Sequence, residues 1–398
     1  MFDWLGFKPG MEKFARALMD HARRHGYDQP MRFDAEGSRI VTGVNQDGVV
    51  NLANLYPGYR DAPRGEREAF LARCLAVFDT PDFPATFTEA RANLLPVIRS
   101  RSYLEAARLA NGTGGNGELA AMPTPPGPDC VLLIAFDRDD TLGILTAAQV
   151  RTWGVPFDDV LATALDNLRA MSAERFERRS DGVVIGAWGD AYDSSRLLLP
   201  ELVQRAGIAD PVAMIPTRGT LLLAPAADRG ALLAMLGLAE AAHAQEGRCV
   251  SASMFDFRGG AAQVHTPDDP EVAARLAAFG QAYLSEDYAA QKRALDDLHQ
   301  KDGADIFVAT FMRMQDDRGG APFSICSWTE GVDALLPKTD RVALVVMDAD
   351  GVPQSSLVVE WNALHAVAGQ LMAPQPDGWP LRYRVTHFPD LGRLTAVS

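Results

Sequence analysis

The amino-acid sequence predicts an α+β protein with mixed and antiparallel sheets, packed helices and a β-rich C-terminal domain. Strand-like runs occur in pairs joined by short turns, as in 211–216 and 219–224, and this favours hairpins over parallel crossovers. Amphipathic helical segments lie between these pairs. The residues after 304 alternate strand-like runs with little helix. Together these observations favour α+β over a doubly wound sheet.

The N-terminal part is predicted to span residues 1–125. Its first helix covers 11–25, because apolar residues recur there at helical spacing and Gly26 provides a stop. The dipeptide Asp47-Gly48 predicts a hairpin turn between two short strands. We therefore expect helical and hairpin elements at this end of the chain.

Further helices are predicted before the first long loop. Residues 65–78 place Cys74 on an apolar helical face, so we expect it in a core. Residues 87–110 predict a helix interrupted at Pro96. The stretch 111–128 contains GTGGNG, but it lies between a helix and a proline-rich segment. A dinucleotide-binding loop lies between a strand and a helix, so we predict a flexible loop here.

The central part is predicted to span residues 126–285, and the C-terminal part, 286–398, to hold a linker helix and a β-rich domain. Predicted strands of the central part are 130–137, 141–146, 182–188, 211–216 and 219–224. Its predicted helices are 157–171, 195–206 and 228–244. A long charged helical pattern over 268–300 leads into the C-terminal part. The strands predicted there are 305–314, 322–328, 341–348, 355–361 and 381–388.

Composition limits the partners and the compartment. The net charge of −14 disfavours nucleic acid and anionic membrane surfaces as partners. The four cysteines are far apart and form no C-x-x-C motif, which argues against a zinc site or a disulfide framework. No apolar run has the length of a signal peptide or a membrane span. We expect a cytoplasmic protein with reduced thiols and with no metal or cofactor.

The run CVLLIAFDRDDTLGIL resembles the nucleophile strand of a haloacid-dehalogenase-type phosphatase. In such an enzyme Asp137 would attack phosphorus, Asp139 would act as general acid and base, and Mg²⁺ and a later lysine would hold the phosphate. No lysine follows before Lys292, and Thr141 leads directly into a second strand. We therefore interpret Asp139 and Asp140 as the tip of a hairpin and keep a Mg²⁺-dependent hydrolase as the alternative function.

Two other patterns have a structural and a functional interpretation. His21 and His25 are spaced i and i+4, as in a metal site, but the sequence nearby offers no third ligand. The favoured role for these histidines is an interaction with the helix dipole. Cys326 is a possible nucleophile with His365 or His387, but a buried strand cysteine is favoured.

Five ordered motifs resemble the YtpQ-like family, a widespread bacterial family of unknown function. They are VNLANLYPGYRDAP, NLLPVIRSRSY, LTAAQVRTWGVPFDDVLATALDNL, YDSSRLLLPELV and MIPTRGTLLLAP, and the resemblance spans roughly residues 11–270. It implies that the segment from Asp137 to Thr146 is a hairpin entering a helix. Similar sequences usually carry an acid where this chain has Gly219. The resemblance implies no particular activity.

Polar residues embedded in apolar runs are the candidate ligand-binding site. Arginines beside apolar strands either pair with carboxylates or bind an anion, and pairing is the favoured interpretation. We expect Arg218 to pair with Asp193. The candidate residues are Arg99, Arg101, Asp193, Ser194, Ser195, Arg196 and Arg218. We nominate no catalytic residue, and we predict a non-catalytic binding or scaffold protein whose partner is a protein or a small anion.

Overall fold

The structure is a computed structural model. It describes residues 9–35, 39–42, 48–52, 55–75, 83–111, 118–121, 126–137, 142–190, 192–246, 249–314, 322–348 and 350–397. The fold is α+β with mixed and antiparallel sheets, as predicted. Two compact units are present, Met1–Pro84 with Phe136–Gly143 (unit 1) and Ala85–Ala135 with Ile144–Ser398 (unit 2). These boundaries differ from the predicted parts 1–125, 126–285 and 286–398.

Among its described residues, unit 1 has a three-stranded antiparallel sheet, three α-helices and a short 3-10 helix, Arg64–Glu66. Its elements are α1 (Met11–Arg24), β1 (Met31–Asp34), β2 (Arg39–Thr42), β3 (Gly48–Asn51), α2 (Tyr56–Asp61) and α3 (Arg67–Cys74). The first predicted helix is confirmed, and Gly26 after it has a φ of 96°, which glycine adopts readily. Cys74 lies in the core with Phe14 and Leu71, as predicted. Asp47 lies outside the described residues, but the strands on either side of it are antiparallel neighbours.

Unit 2 has a strand near its start, where a helix interrupted at Pro96 was predicted. Its first elements are α4 (Phe87–Ala90), β4 (Leu94–Ser100), α5 (Arg101–Asn111), β5 (Cys130–Asp137), β6 (Leu142–Ile144), α6 (Ala147–Thr152) and α7 (Phe157–Met171). The last two residues of β5 and the first two of β6 are assigned to unit 1. The predicted helix is confirmed at its two ends, in α4 and α5, and between them β4 is a strand in which every residue is buried. β4 is an edge strand beside β5, and proline is tolerated at an edge because its missing N–H breaks no ladder bond.

A six-stranded antiparallel sheet forms the centre of unit 2. In chain order, its strands and the α-helices between them are β7 (Phe176–Arg178), β8 (Val184–Gly186), α8 (Pro200–Arg205), β9 (Pro211–Met214), β10 (Leu222–Pro225), α9 (Arg229–Glu246), β11 (Met254–Asp256) and β12 (Gln263–Val264). The strand order is β12-β11-β9-β10-β8-β7. The β9–β10 hairpin confirms the predicted strand pair. The predicted helix 195–206 is divided into a 3-10 helix, Ser194–Leu198, and α8, since Pro200 starts a new helix.

The central strands of this sheet are buried on both faces. Along β9, Val212 and Met214 pack with α9 in one core cluster, whereas Ala213 and the following Ile215 belong to a second cluster. Strand side chains alternate between the two faces, so a continuous apolar run fits a strand covered on both sides.

The predicted long charged helix is present as α10 (Pro270–Asp302). The Asp269 carboxylate caps its first turn, and Gly303, with a φ of 65°, ends it. The helix packs against α9 and α5 and buries Tyr283, Tyr288 and Gln291. It is therefore an integral part of unit 2 along its length.

Two four-stranded mixed sheets follow α10. The elements are β13 (Phe307–Val308), β14 (Met312–Met314), β15 (Phe323–Thr329), β16 (Ala334–Pro337), β17 (Arg341–Met347), β18 (Pro353–Glu360), α11 (Trp361–Ala368), β19 (Ala373–Gln375) and β20 (Arg382–Val385). The strand orders are β13-β16-β20-β19 and β14-β15-β17-β18. Cys326 on β15 is fully buried beside Trp328, and burial raises the pKa of its thiol to about 11. The prediction of a buried strand cysteine is confirmed.

Candidate functional site

The seven predicted site residues lie on three segments of unit 2 that adjoin one another. The Ile98 N–H donates to Ser195 Oγ at 3.3 Å, and this links β4 to the 3-10 helix. The Ser194 N–H donates to the Arg218 carbonyl at 3.2 Å and links the same helix to the β9–β10 turn. The tertiary structure therefore brings the backbones of these residues together, although they are far apart in sequence.

Arg196 is fully buried and paired. Its guanidinium donates to both carboxylate oxygens of Asp190, at 2.8 and 2.6 Å, and its Nε donates to Ser172 Oγ at 2.8 Å. The guanidinium also lies 4.4 Å from the ring centroid of Trp188. A bidentate, stacked arginine of this kind is neutralised within the protein. The prediction that such an arginine pairs with a carboxylate is confirmed for Arg196.

The predicted ion pair between Arg218 and Asp193 is wrong. Asp193 Oδ1 accepts the backbone N–H groups of Trp188 and Gly189, at 3.1 and 3.3 Å. The Arg218 guanidinium lies 5.7 Å from the Tyr103 ring centroid. Arg218 and Asp193 do not form an ion pair with each other among the described residues. The Asp193 carboxylate is therefore bound by the loop that precedes it, through backbone N–H groups five and four residues earlier in the chain.

Two buried oxygens of this cluster have no hydrogen-bond partner within the described part of the chain. They are Asp193 Oδ2 and Ser194 Oγ. Buried polar groups in folded proteins nearly always have a partner, so such atoms mark a place for a water molecule or a small ligand. Both residues are almost completely buried, at 1% and 0% exposed, so any such molecule would be enclosed.

The other predicted arginines have separate contacts. Arg99 is buried and donates to the Ile98 carbonyl at 2.8 Å. Arg101 donates to the Pro128 carbonyl and stacks on Trp379, with its guanidinium 4.3 Å from the ring centroid. Arg99, Arg101 and Arg196 therefore contact different neighbours, and these contacts do not converge on one shared group.

The other motifs singled out in the sequence lie apart from this cluster or outside the described residues. Asp137 is the last residue of β5, while Asp139, Asp140 and the GTGGNG segment lie outside the described residues. The His21 and His25 rings stack at 4.1 Å; His21 Nδ1 lies 3.1 Å from Glu68, and His25 Nδ1 lies 2.8 Å from the His21 carbonyl.

A cavity of about 370 Å³ in unit 2 was not predicted. It lies among α5, α10 and the last strands. Leucines, Ile306 and Pro376 form an apolar part of its wall. The charged residues that line it are Glu105, Arg108, Asp377, Arg382 and Arg384. A cavity with an apolar wall and a few convergent polar groups is typical of a small-molecule site.

Arg382 differs from the other arginines of the cavity. It is 2% exposed, and its guanidinium donates to Gln291 Oε1 at 2.7 Å and to the carbonyls of Ala309, Leu335 and Tyr288 at 2.8, 3.1 and 3.2 Å. Among the described residues no carboxylate lies within ion-pair distance of it, whereas Arg108 pairs with Glu105 and Arg384 with Asp333. Burial lowers the pKa of Arg382 to about 10. Among the described residues, all of its hydrogen-bond acceptors are therefore neutral groups.

A second unpredicted cluster lies at the end of α9. His243 Nδ1 is 2.7 Å from Cys249 Sγ, and His243 Nε2 is 3.0 Å from Glu286 Oε1 on α10. This order resembles a nucleophile, base and acid triad. Burial, followed by the nearby charge of Glu286, raises the pKa of the Cys249 thiol to about 12. Reactive cysteines have a lowered pKa, so the environment disfavours a nucleophilic thiolate.

Sequence patterns alone could not identify these two groups. Arg382 alternates with apolar residues in a strand run, which predicts an exposed arginine, and only the packing of α10 buries it. His243 and Cys249 lie six positions apart, in a helix and in the segment after it, and Glu286 is a further 37 residues along the chain. No local motif connects such positions.

Comparisons with known proteins returned no match: no family model, no curated protein and no solved structure matches this chain. The resemblance to the YtpQ-like family therefore stays a prediction. Within the described residues, no helix has the length and apolar character needed to cross a membrane.

Proposed function

We propose that this protein is a non-catalytic binding protein for a small organic anion, which occupies the cavity around Arg382. The observation that carries the proposal is a buried guanidinium at a cavity wall with no carboxylate partner among the described residues. A buried charge without a direct carboxylate partner is costly, and a bound anion would lower that cost. The hydrogen-bonded carbonyls fix the guanidinium in place, so this side chain loses little conformational entropy when an anion binds.

The cavity wall supports the choice of ligand class. Arg384 and Arg108 also line the cavity. Each is paired with a carboxylate through Nε and Nη2 only, so three of its five N–H donors lie outside that pair, and guanidinium donors suit carboxylates and phosphates. The apolar side chains opposite, including Leu295, Leu298 and Ile306, suit a hydrocarbon body. A carboxylate or phosphate ester with an apolar part fits this combination better than an inorganic ion does.

Charge and thiol content support the remaining parts of the proposal. The net charge of −14 opposes nucleic acid as a partner. All four cysteines are free thiols, which is typical of a reducing compartment, so we place the protein in the cytoplasm.

A ligand screen with two matched arginine variants tests the proposal. We expect at least one member of a panel of small carboxylates and phosphate monoesters to raise the melting temperature of the full chain. Arg384→Gln should weaken the binding of that compound about tenfold in titration calorimetry, because it removes one charge-assisted hydrogen bond. Arg384 pairs with Asp333 at 2.9 Å and lines the cavity.

Arg341→Gln is the control. Arg341 also lies on a strand and pairs with a single carboxylate, Glu360 at 3.0 Å, but it does not line this cavity. The Kd of Arg341→Gln for the compound found in the screen should equal that of the wild type. Equal weakening by both variants, or a panel in which no compound binds, would refute the proposal and leave Arg382 as a structural clamp between α10 and the C-terminal strands.

A further inference from the structure

The cluster of His243, Cys249 and Glu286 lies apart from the anion cavity. His243 is in the last turn of α9, Cys249 is in the segment after it, and Glu286 is on α10. A β-bridge between Cys249 and Thr217 fixes the backbone of the cysteine. The His243 ring packs edge-on against Phe279, with centroids 5.7 Å apart. Two of the three groups are therefore held in place by the fold.

The spacing of the three ligand atoms suits one metal ion. His243 Nε2 is 3.0 Å from Glu286 Oε1 and 4.0 Å from Cys249 Sγ, and Sγ is 4.0 Å from Glu286 Oε2. Zinc binds nitrogen and oxygen at about 2.0–2.2 Å and sulfur at about 2.3 Å, so ligand atoms 3 to 4 Å apart fall around one ion. Among the described residues this is the one group of at least three histidine, cysteine or acidic side chains with such spacing.

The charge and accessibility of the cluster also favour a cation. Glu286 brings a carboxylate beside the sulfur, which opposes a free thiolate but attracts a divalent ion. The imidazole is 11% exposed and Glu286 is 62% exposed, so an ion can enter from solvent. Thiolate with imidazole and carboxylate is a ligand set that suits zinc, and not magnesium or calcium.

We propose that His243, Cys249 and Glu286 form a Zn²⁺ site with three protein ligands. The fourth position of the ion would be taken by water, as in zinc sites that keep an open position. Bound zinc would connect the end of α9 to α10, because its ligands come from both helices and from the segment after α9. Cysteine spacing in the sequence gives no indication of this site, since only one of the ligands is a cysteine.

Metal titration of the full-length, chelator-treated protein tests the site. We expect one Zn²⁺ per chain in competition with a chromophoric chelator. Co²⁺ should give a thiolate-to-cobalt charge-transfer band. Cys249→Ser should weaken Zn²⁺ binding at least about 100-fold and abolish that band, and Glu286→Gln should weaken binding at least about tenfold. Asp297→Asn, an exposed acid elsewhere on α10, is the control and should leave the Kd unchanged.

Circular dichroism confirms that each variant is folded before its Kd is compared. Glu286 is exposed, so its variant tests the site even where Cys249→Ser lowers stability. Zinc binding that is equally tight in Cys249→Ser and the wild type, or a Co²⁺ complex without the charge-transfer band, would overturn the proposal. Absence of binding together with rapid alkylation of Cys249 would also overturn it and would indicate a nucleophilic thiol instead.

Discussion

Two arginines of unit 2 are buried to a similar degree but neutralised differently. Arg196 is 0% exposed and makes a bidentate pair with Asp190, whereas Arg382 is 2% exposed and donates only to carbonyls and to Gln291 among the described residues. Each stacks near an aromatic ring, Trp188 or Tyr288. The contrast shows that the burial of an arginine does not by itself identify a binding site. The location of its counter-charge is more informative.

The largest expected effect comes from breaking the paired arginine. Asp190→Ala leaves the Arg196 guanidinium buried without a carboxylate, and we expect the free energy of unfolding to fall by about 3 kcal/mol. Urea denaturation measures this change. A loss below about 1 kcal/mol would show that Ser172 and the Trp188 ring suffice to solvate Arg196, and the contrast with Arg382 would disappear.

A pH series sharpens the same comparison. Burial opposes the ionisation of Asp190, but the hydrogen bonds from Arg196 and from the Tyr192 backbone N–H, together with the charge of Arg196, outweigh it and hold the pKa of that carboxyl below its usual value. A lowered carboxyl pKa contributes stability that is complete above the unfolded pKa, about 4. That stability is lost as the pH falls through the folded pKa.

The stability difference between the wild type and Asp190→Asn should therefore be largest at neutral pH and should shrink as the pH falls below about 4. Denaturation curves at several pH values measure it. A difference that is constant with pH would mean that the charge of Asp190 contributes nothing and that its shape alone matters.

The smallest expected effect concerns the unpaired arginine. Glu105 contacts Arg108 at 2.8 and 2.9 Å and accepts from Gln291 at 3.1 Å, so it is a carboxylate close to Arg382 in the cavity. Glu105→Gln removes that negative charge, and an anion that binds in the cavity should bind about threefold more tightly. Titration calorimetry with a compound from the screen measures this. Weaker binding would show that Glu105 matters mainly by orienting Arg108.

Much of the secondary structure follows from local pattern. Helix α7 and strand β5 have the predicted bounds, since their apolar spacing and flanking residues are unambiguous. β4 was not predicted, because a short apolar run with a proline fits a broken helix or an edge strand equally well. The burial of β4 depends on α7, which packs against it and lies 60 or so residues further along the chain.

Composition and periods of two or 3.6 residues are enough to predict the α+β class, the acidic charge, the buried Cys74 and Cys326, and the apolar strands that are covered on both faces. Only the tertiary structure decided which charges meet. It brought Asp190 to Arg196 and Glu286 to His243, and among the described residues it left Arg382 without a carboxylate at ion-pair distance. Such contacts join residues with no fixed spacing in the chain, so their geometry depends on how sheets and helices pack.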